Sequence, residues 1–435
     1  MKSVPAGELL RRVAVAAGID AVYGEPLGSL DVTTVPVAVA ALFASAHHRV
    51  HGVRAAVHRG DGILRLPEVE AGPRRAVEVA SADDLVAAVR VLTSLCEVEL
   101  SVNLDLDEPV ADIVPVPPAP GERWIDPTPE TVEALRSAAS VAVLAGPGVI
   151  RQAAVPGLHD LAVASGVGVL NTWGAKGVFD WRSRHHLATV GLQEHDFILG
   201  GIGDVDLVVA TGLDPLESPD GRWDLAPTLH VDPGGLAPLA ERCGPQRLLP
   251  AAMPILRTRL ADVTQRGWTI ERSPLPPSRV TKHYAEYLAA GGLVAADAGI
   301  AGFWVARTFA TTRLGAAIVP SAPNPGFAAA CVAVARLRRP AQPALAVADA
   351  PLDEEIAAVV DAAAALGIDV PVEAWGPDGE QLGADAHCQR LRRLVFAGSS
   401  GSLGATGTTG PVTLATDPGQ MAEIVDAAGP VVAWT

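Results

Sequence analysis

The sequence predicts an α/β protein of three doubly wound domains with parallel sheets. Three observations predict it. The chain has 435 residues, a length that suits about three domains. The proline-rich stretches 114–129 (VPVPPAPGERWIDPTP) and 270–279 (IERSPLPPSR) read as linkers, because proline continues neither a helix nor a central strand. Between them, short apolar runs alternate with segments of helical period, as β-α-β units require. The domains expected are residues 1–113, 130–269 and 280–435.

Each element has a local reason. Residues 7–17 read as a helix and 21–23 as a strand before the turn Gly24-Glu25-Pro26. Residues 81–95 read as a helix capped by Ser81, with Asp84 three residues on as a variant of the capping box. In the second segment 141–144, 167–170 and 207–211 read as strands and 157–164 as a helix. In the third, 293–296 and 344–347 read as strands and the Ala-rich 354–366 as a helix. The Gly/Ser/Thr-rich stretch 398–410 reads as a surface loop.

Composition narrows the function. Hydrophobic residues make up 49% and aromatic residues 4%, so the cores must be aliphatic, as suits sheets covered on both faces. A net charge of −16 offers no basic face, so neither nucleic acid nor an anionic membrane surface is expected as a partner. The opening MKSVPAGELLRRVAVAAG is broken by Glu8, Arg11 and Arg12 and reads as an amphipathic helix, not a signal peptide. No apolar run of about 18 residues marks a membrane span. Cys96, Cys243, Cys331 and Cys388 are scattered without a CxxC pair, which suits a reducing, cytoplasmic location.

Local motifs follow in an order that resembles the thiamine diphosphate enzymes, in their acetolactate synthase-like branch. GELLRRVAVAAGIDAVYGEPLG resembles that family's opening helix, strand and Gly-x-Pro-Gly turn, and VPVAVAALFASAHHRVHG its next helix, with Arg49 and Gly52 at the fitting places. VAVLAGPGVIRQAAVPGLHDLAVASGVGVLNTWGAKGVFD resembles the central domain's first strand, glycine turn, helix and Thr-x-x-x-Lys-Gly loop. DVDLVVATGLDP and LHVDPGG follow as its later strands do. LVAADAGIAGFWVAR and PNPGFAAACVAVARLRRPAQPALAVADAP resemble the diphosphate domain. The resemblance implies a pyrimidine-binding-like, a central and a diphosphate-binding-like domain.

It also implies chemistry that these residues lack. The family needs a glutamate against the aminopyrimidine ring, because a proton is shared there. Aligned backwards from Gly52, that position is Val37, so no catalytic residue is assigned; Glu25 and Asp31 are the nearest carboxylates. The family's magnesium site needs an Asp in Gly-Asp-Gly and an Asn one helix later. Here the first reads Ala348-Asp349-Ala350, whose alanines add bulk where backbone must meet phosphate, and no Asn lies in VPVEAWGPDGEQ, only Glu373 and Asp378. After HRGDGILRLP the chain passes almost directly to SADDLVAAVRVL, omitting elements that normally help to enclose the cofactor.

The expectation is therefore a homologue without normal thiamine chemistry and without a cofactor, serving as a structural or regulatory partner of an active lyase or binding a small molecule. The alternative is an active 2-oxo acid decarboxylase or carboligase. It would bind thiamine diphosphate and magnesium through Asp349, Glu373 and Gly326, with Asp349 on the metal. Because the family's active sites sit between two chains, the resemblance implies a homodimer or larger, held by apolar faces of the first and third domains.

Other polar residues carry two readings each. His47 and His51, four apart, suit a metal or a polar helix face, and the helix face is favoured for want of a third ligand. His185, His186, His195 and Asp196 read as a solvated loop before a nucleotide or flavin contact. Gly146-Pro147-Gly148 reads as a tight turn before a phosphate cradle. Trp173 and Lys176 face either a ligand or a neighbouring domain, and Trp304 and Trp375 read as core or interface aromatics. His387-Cys388 shows no catalytic partner, and Arg336, Arg338 and Arg339 suit a helix carboxyl end.

Overall fold

The computed structural model describes residues 2–28, 30–67, 74–94, 96–116, 127–243, 249–250, 253–288, 291–396 and 410–434. Most of the first linker and nearly all of the glycine-rich stretch 398–410 lie outside these residues. Among the described residues no helix is long and apolar enough to cross a membrane.

The first domain contains β1 (Ser3–Pro5), α1 (Ala6–Ala16), β2 (Ile19–Gly24), β3 (Thr33–Thr34), α2 (Val37–His51) and β4 (Arg54–His58). It continues with β5 (Ile63–Leu66), β6 (Arg75–Val79), α3 (Ala82–Leu92), β7 (Val98–Val102) and β8 (Pro109–Ala111). The predicted cap is present: the Ser81 side chain accepts the Asp84 N–H, and the Asp84 carboxylate accepts the Ala80 N–H at 3.2 Å. The sheet runs β3-β2-β4-β5-β7-β6 and is mixed, where a parallel sheet was expected. The reason is the short link 59–62. It can only turn the chain back, so β4 and β5 pair antiparallel, and β5 pairs antiparallel with β7.

The central domain holds α4 (Pro129–Ser137), β9 (Ser140–Ala145), α5 (Gly148–Arg151), α6 (Val155–Ser165), β10 (Gly168–Thr172) and β11 (His186–Val190). α7 (Asp196–Leu199), β12 (Leu207–Thr211), β13 (Thr228–His230), α8 (Leu236–Cys243), β14 (Leu249–Pro250) and α9 (Ile255–Gly267) follow. Its main sheet, ordered β11-β10-β9-β12-β13, is parallel throughout.

The third domain comprises α10 (Pro277–Tyr287), β15 (Leu293–Ala296), α11 (Ile300–Thr308), β16 (Ala317–Ile318), α12 (Phe327–Arg338) and β17 (Ala344–Asp349). α13 (Glu354–Ala365), β18 (Val372–Glu380), α14 (Ala384–Phe396), β19 (Val412–Leu414) and α15 (Ala422–Ala428) complete it. The second proline stretch does not remain a linker to its end. Pro277 opens α10, the one helical position where a missing N–H costs nothing. The sheet is parallel, in the order β16-β15-β17-β18-β19.

α12 is apolar all round, and every residue from Phe327 to Arg336 is buried. A helix of that kind must be covered on two sides. Its sheet covers one side; α2 covers the other, and its Val39, Phe43 and Ala46 belong to the same core cluster. The apolar faces of the first and third domains are thus joined inside the chain.

Candidate functional site at the carboxyl ends of the third sheet

In a doubly wound sheet the ligand crevice opens where the strand order reverses, beyond the carboxyl ends of the strands. In the third sheet that point lies between β15 and β17. Asp297 directly follows β15, and Asp349 ends β17.

Both carboxylates are engaged by the protein itself. Asp349 accepts the N–H of Ile300 at 2.8 Å and of Ala301 at 2.7 Å, the first turn of α11. Asp297 accepts the N–H of Gly326 at 3.0 Å and of Ala328 at 2.7 Å, at the start of α12. Helix amino ends carry unpaired N–H groups and a positive partial charge, and so attract anions. Here side-chain carboxylates take that place. Burial, with Asp353 and Asp349 nearby, raises Asp297 to about 6 against the pull of its two amide donors.

Two glycines permit the arrangement. Gly299 has φ +140°, and a side chain there would collide with the Asp349 carboxylate. Gly326 has φ +85° and lies against the backbone of Glu355. Gly326 adjoins the crevice, and its N–H is spent on Asp297. The alanines flanking Asp349 differ in role. Ala348 faces the core beneath α12, not the crevice, because strand residues alternate faces. Ala350 packs against Gly376, where an added Cβ would come within 2.8 Å.

Glu373 does not join Asp349. It pairs in register with Val347, two residues before Asp349, on the face that carries Trp375; it is fully buried and accepts hydrogen bonds from Tyr284 and from Arg390 at 3.1 Å. His387 Nε2 lies 3.2 Å from it, and His387 Nδ1 meets His283 Nδ1 at 2.7 Å. Burial pushes the Glu373 carboxyl up, but His387, Arg390 and Tyr284 together outweigh burial and hold it at about 2. His387 thus has partners that its sequence neighbours did not reveal, while Asp378 is exposed. Val37 is the first residue of α2, behind Pro36, and Glu25 and Asp31 are exposed. Among the described residues no group of three or more His, Cys, Asp or Glu side chains could hold a metal ion.

Several polar residues read as solvated are buried instead. His47 is 1% exposed and bonds Tyr23 Oη at 2.8 Å and Asp20 at 2.6 Å; Asp20 in turn pairs with Arg338. The cause is α12, which covers the face of α2 that its polar residues marked as free. Asp196 is fully buried with Arg307 of α11 at 2.8 Å, and His185 bonds the Val167 carbonyl at 3.0 Å. Gly146 and Gly148 press on Gly212, with added Cβ atoms falling 2.3 and 2.7 Å from its backbone, so this is a tight turn. Trp304 and Trp375 lie in the core. Trp173 is a domain contact, its Nε1 donating to the Pro320 carbonyl at 3.1 Å. Arg336 adds to its place in the last turn of α12 a bond to the Asp369 carbonyl at 2.9 Å.

A cavity of about 280 Å³ lies where the three domains meet, lined by His48, Arg49, Arg54, Arg151, Asp214 and the start of α12. Arg49 gives its guanidinium to the carbonyls of Gly174 and Val319, and Arg54 to those of Leu92, Pro67 and Cys96. These cations build the wall and make it positive. Beside it the fully buried Glu217 receives hydrogen bonds from Thr172, Ser321 and the Gly174 N–H, and burial raises its pKa. Glu217 escaped the sequence reading, because its partners come from two domains.

Comparison with known proteins agrees with this fold. Residues 129–234 match the family model of the thiamine pyrophosphate enzyme central domain. The whole chain resembles the X-ray structure of a candidate thiamin diphosphate-dependent enzyme from Mycobacterium smegmatis, with a TM-score of 0.67 at 14% identity, over 95% of this chain and 99% of that one. At that identity the likeness speaks for the fold. No curated protein sequence matches.

Proposed function

We propose that this chain keeps the thiamine diphosphate enzyme fold without normal thiamine catalysis, and acts through binding: of a small molecule, or of an active lyase subunit. One observation carries the reading. The two helix amino ends at the switch point, where a diphosphate would need free N–H donors, hold Asp349 and Asp297. A diphosphate brought against two carboxylates meets repulsion as well as spent donors. Val37 in place of a proton-sharing carboxyl group supports the same view. The residues present do not fit the cofactor.

The order of motifs along the chain supports an acetolactate synthase-like origin within the family. A small-molecule role is supported by the positive cavity at the three-domain junction. Scattered cysteines, none of them paired, support a cytoplasmic setting. A homodimer or larger assembly rests on the resemblance, and it needs faces other than those joining α2 and α12. Calorimetric titration with thiamine diphosphate and magnesium tests the reading. No heat of binding is expected; saturable binding lost in Asp349→Ala would favour an active lyase with substitute ligands.

A further inference from the structure

A second cavity, of about 270 Å³, opens between the edge strand β11, helix α9 and the carboxyl end of α11. α11 separates it from the Asp297–Asp349 crevice by about 13 Å, the length of a nine-residue helix. Its charged lining residues are Lys176, Arg257 and Arg307, and none of the residues lining it is an Asp or Glu.

Lys176 is 8% exposed, and its side-chain ammonium forms no hydrogen bond or ion pair among the described residues. The buried carboxylate of this region, Asp196, is already spent. Arg307 Nη2 meets both its oxygens at 2.8 Å, and the Gln193 N–H takes one of them at 3.0 Å. Burial and the adjacent Arg307 pull the Lys176 amine down to about 7. Three further lining atoms, His186 Nδ1, Trp268 Nε1 and Arg307 Nε, are buried without a partner. A largely buried ammonium with no countercharge is costly, and so are orphaned polar atoms. The wall is therefore short of one negative charge and of hydrogen-bond acceptors.

Beside Thr189, Thr264, Gln265 and Thr308, the remainder of the lining is apolar. Trp181 and Trp268 stand edge to face with centroids 5.8 Å apart, and Leu187, Leu260 and Phe309 complete it. Such a surface suits a flat hydrocarbon body and disfavours a free phosphate, which would leave the rings uncovered.

We propose that this cavity binds a small aromatic carboxylate, its charge paired with Lys176 and its ring laid along Trp181 and Trp268. The site is distinct from the crevice of the third sheet, and its test does not depend on the function proposed above.

The test titrates the full chain with phenylacetate, phenylacetamide and inorganic phosphate, followed by calorimetry and tryptophan fluorescence. Phenylacetate is expected to bind saturably, while phenylacetamide and phosphate do not. Lys176→Met should weaken phenylacetate by roughly tenfold or more, as loss of a buried charge partner does. Lys176→Arg should keep binding within a few-fold. Lys176→Met should also unfold at the same temperature or higher, since it removes an uncompensated buried charge. Leu260→Trp, which fills the cavity and leaves Lys176 in place, should abolish binding. The proposal is overturned if no carboxylate binds, if phenylacetamide binds as well as phenylacetate, if phosphate binds in its place, or if either Lys176→Met or Leu260→Trp leaves affinity unchanged.

Discussion

Arg307 of α11 and Asp196 of the central domain, 111 positions apart in the chain, form a fully buried ion pair at 2.8 Å. Arg307 also donates to the Thr189 carbonyl at 3.1 Å and to Gln193 Oε1 at 3.0 Å. One guanidinium thus fastens the third domain to the central one. Breaking such a pair from one side leaves a buried charge alone. Arg307→Met should destabilise the protein by about 3–5 kcal/mol in urea denaturation. Adding Asp196→Leu should recover part of the loss, and strictly additive losses would count against the pairing.

Asp349 is a cap before it is anything else. Asp349→Ala should cost about 1 kcal/mol of stability, as removal of a helix cap does. It also frees the N–H groups of Ile300 and Ala301. Inorganic phosphate should then stabilise the variant more than the parent chain. Equal stabilisation of both, measured by thermal unfolding, would mean that the N–H groups are not anion-competent.

Acid should loosen the fold before most carboxylates titrate. Burial lowers His186 and His283 to about 3, and His48 and His51 to about 4, with neighbouring cations or histidines adding to the effect. Each is neutral in the folded chain and takes up a proton near pH 6.5 when unfolded. Their stabilising contribution is therefore present above pH 6.5 and is lost as pH falls towards 4 and 3. Asp297 works the other way, its contribution fading as pH rises from 3.8 to about 6. With His47 lowered as well, five histidines act against the raised carboxyls of Asp297, Glu217 and Asp369, and the urea midpoint should fall as pH drops from 7 to 5. A constant or rising midpoint would contradict these burial environments.

Assembly gives a prediction that the fold leaves open. Sedimentation velocity should show a dimer or larger species that persists on dilution. A dilution-stable monomer would remove the homo-oligomer from the account.

Most elements were legible in the sequence because their causes are local. The run 207–211 matches β12, and Ser81 with Asp84 marks the start of α3, since apolar pattern and cap lie within a few residues. The site was less legible, because its bonds are not local. Asp297 stands out in Asp-x-Gly, but its use on Gly326 and Ala328 lies 29 and 31 residues on. Glu373 read as an available ligand, and only the packing of α10 and α14 on β18 shows it enclosed. His47 and Asp196 read as solvated because polarity in one segment does not disclose what covers it. The antiparallel step in the first sheet rests on the short link 59–62, a local signal that the strand–helix alternation on either side of it masks.

The central claim is that the helix ends at the switch point are closed to a diphosphate by Asp349 and Asp297. The most direct measurement is calorimetric titration of the full chain with thiamine diphosphate and magnesium. The account predicts no saturable heat at millimolar cofactor for the parent chain. Saturable binding at micromolar cofactor that disappears in Asp349→Ala would contradict it, and would make Asp349 a metal ligand in a working thiamine enzyme.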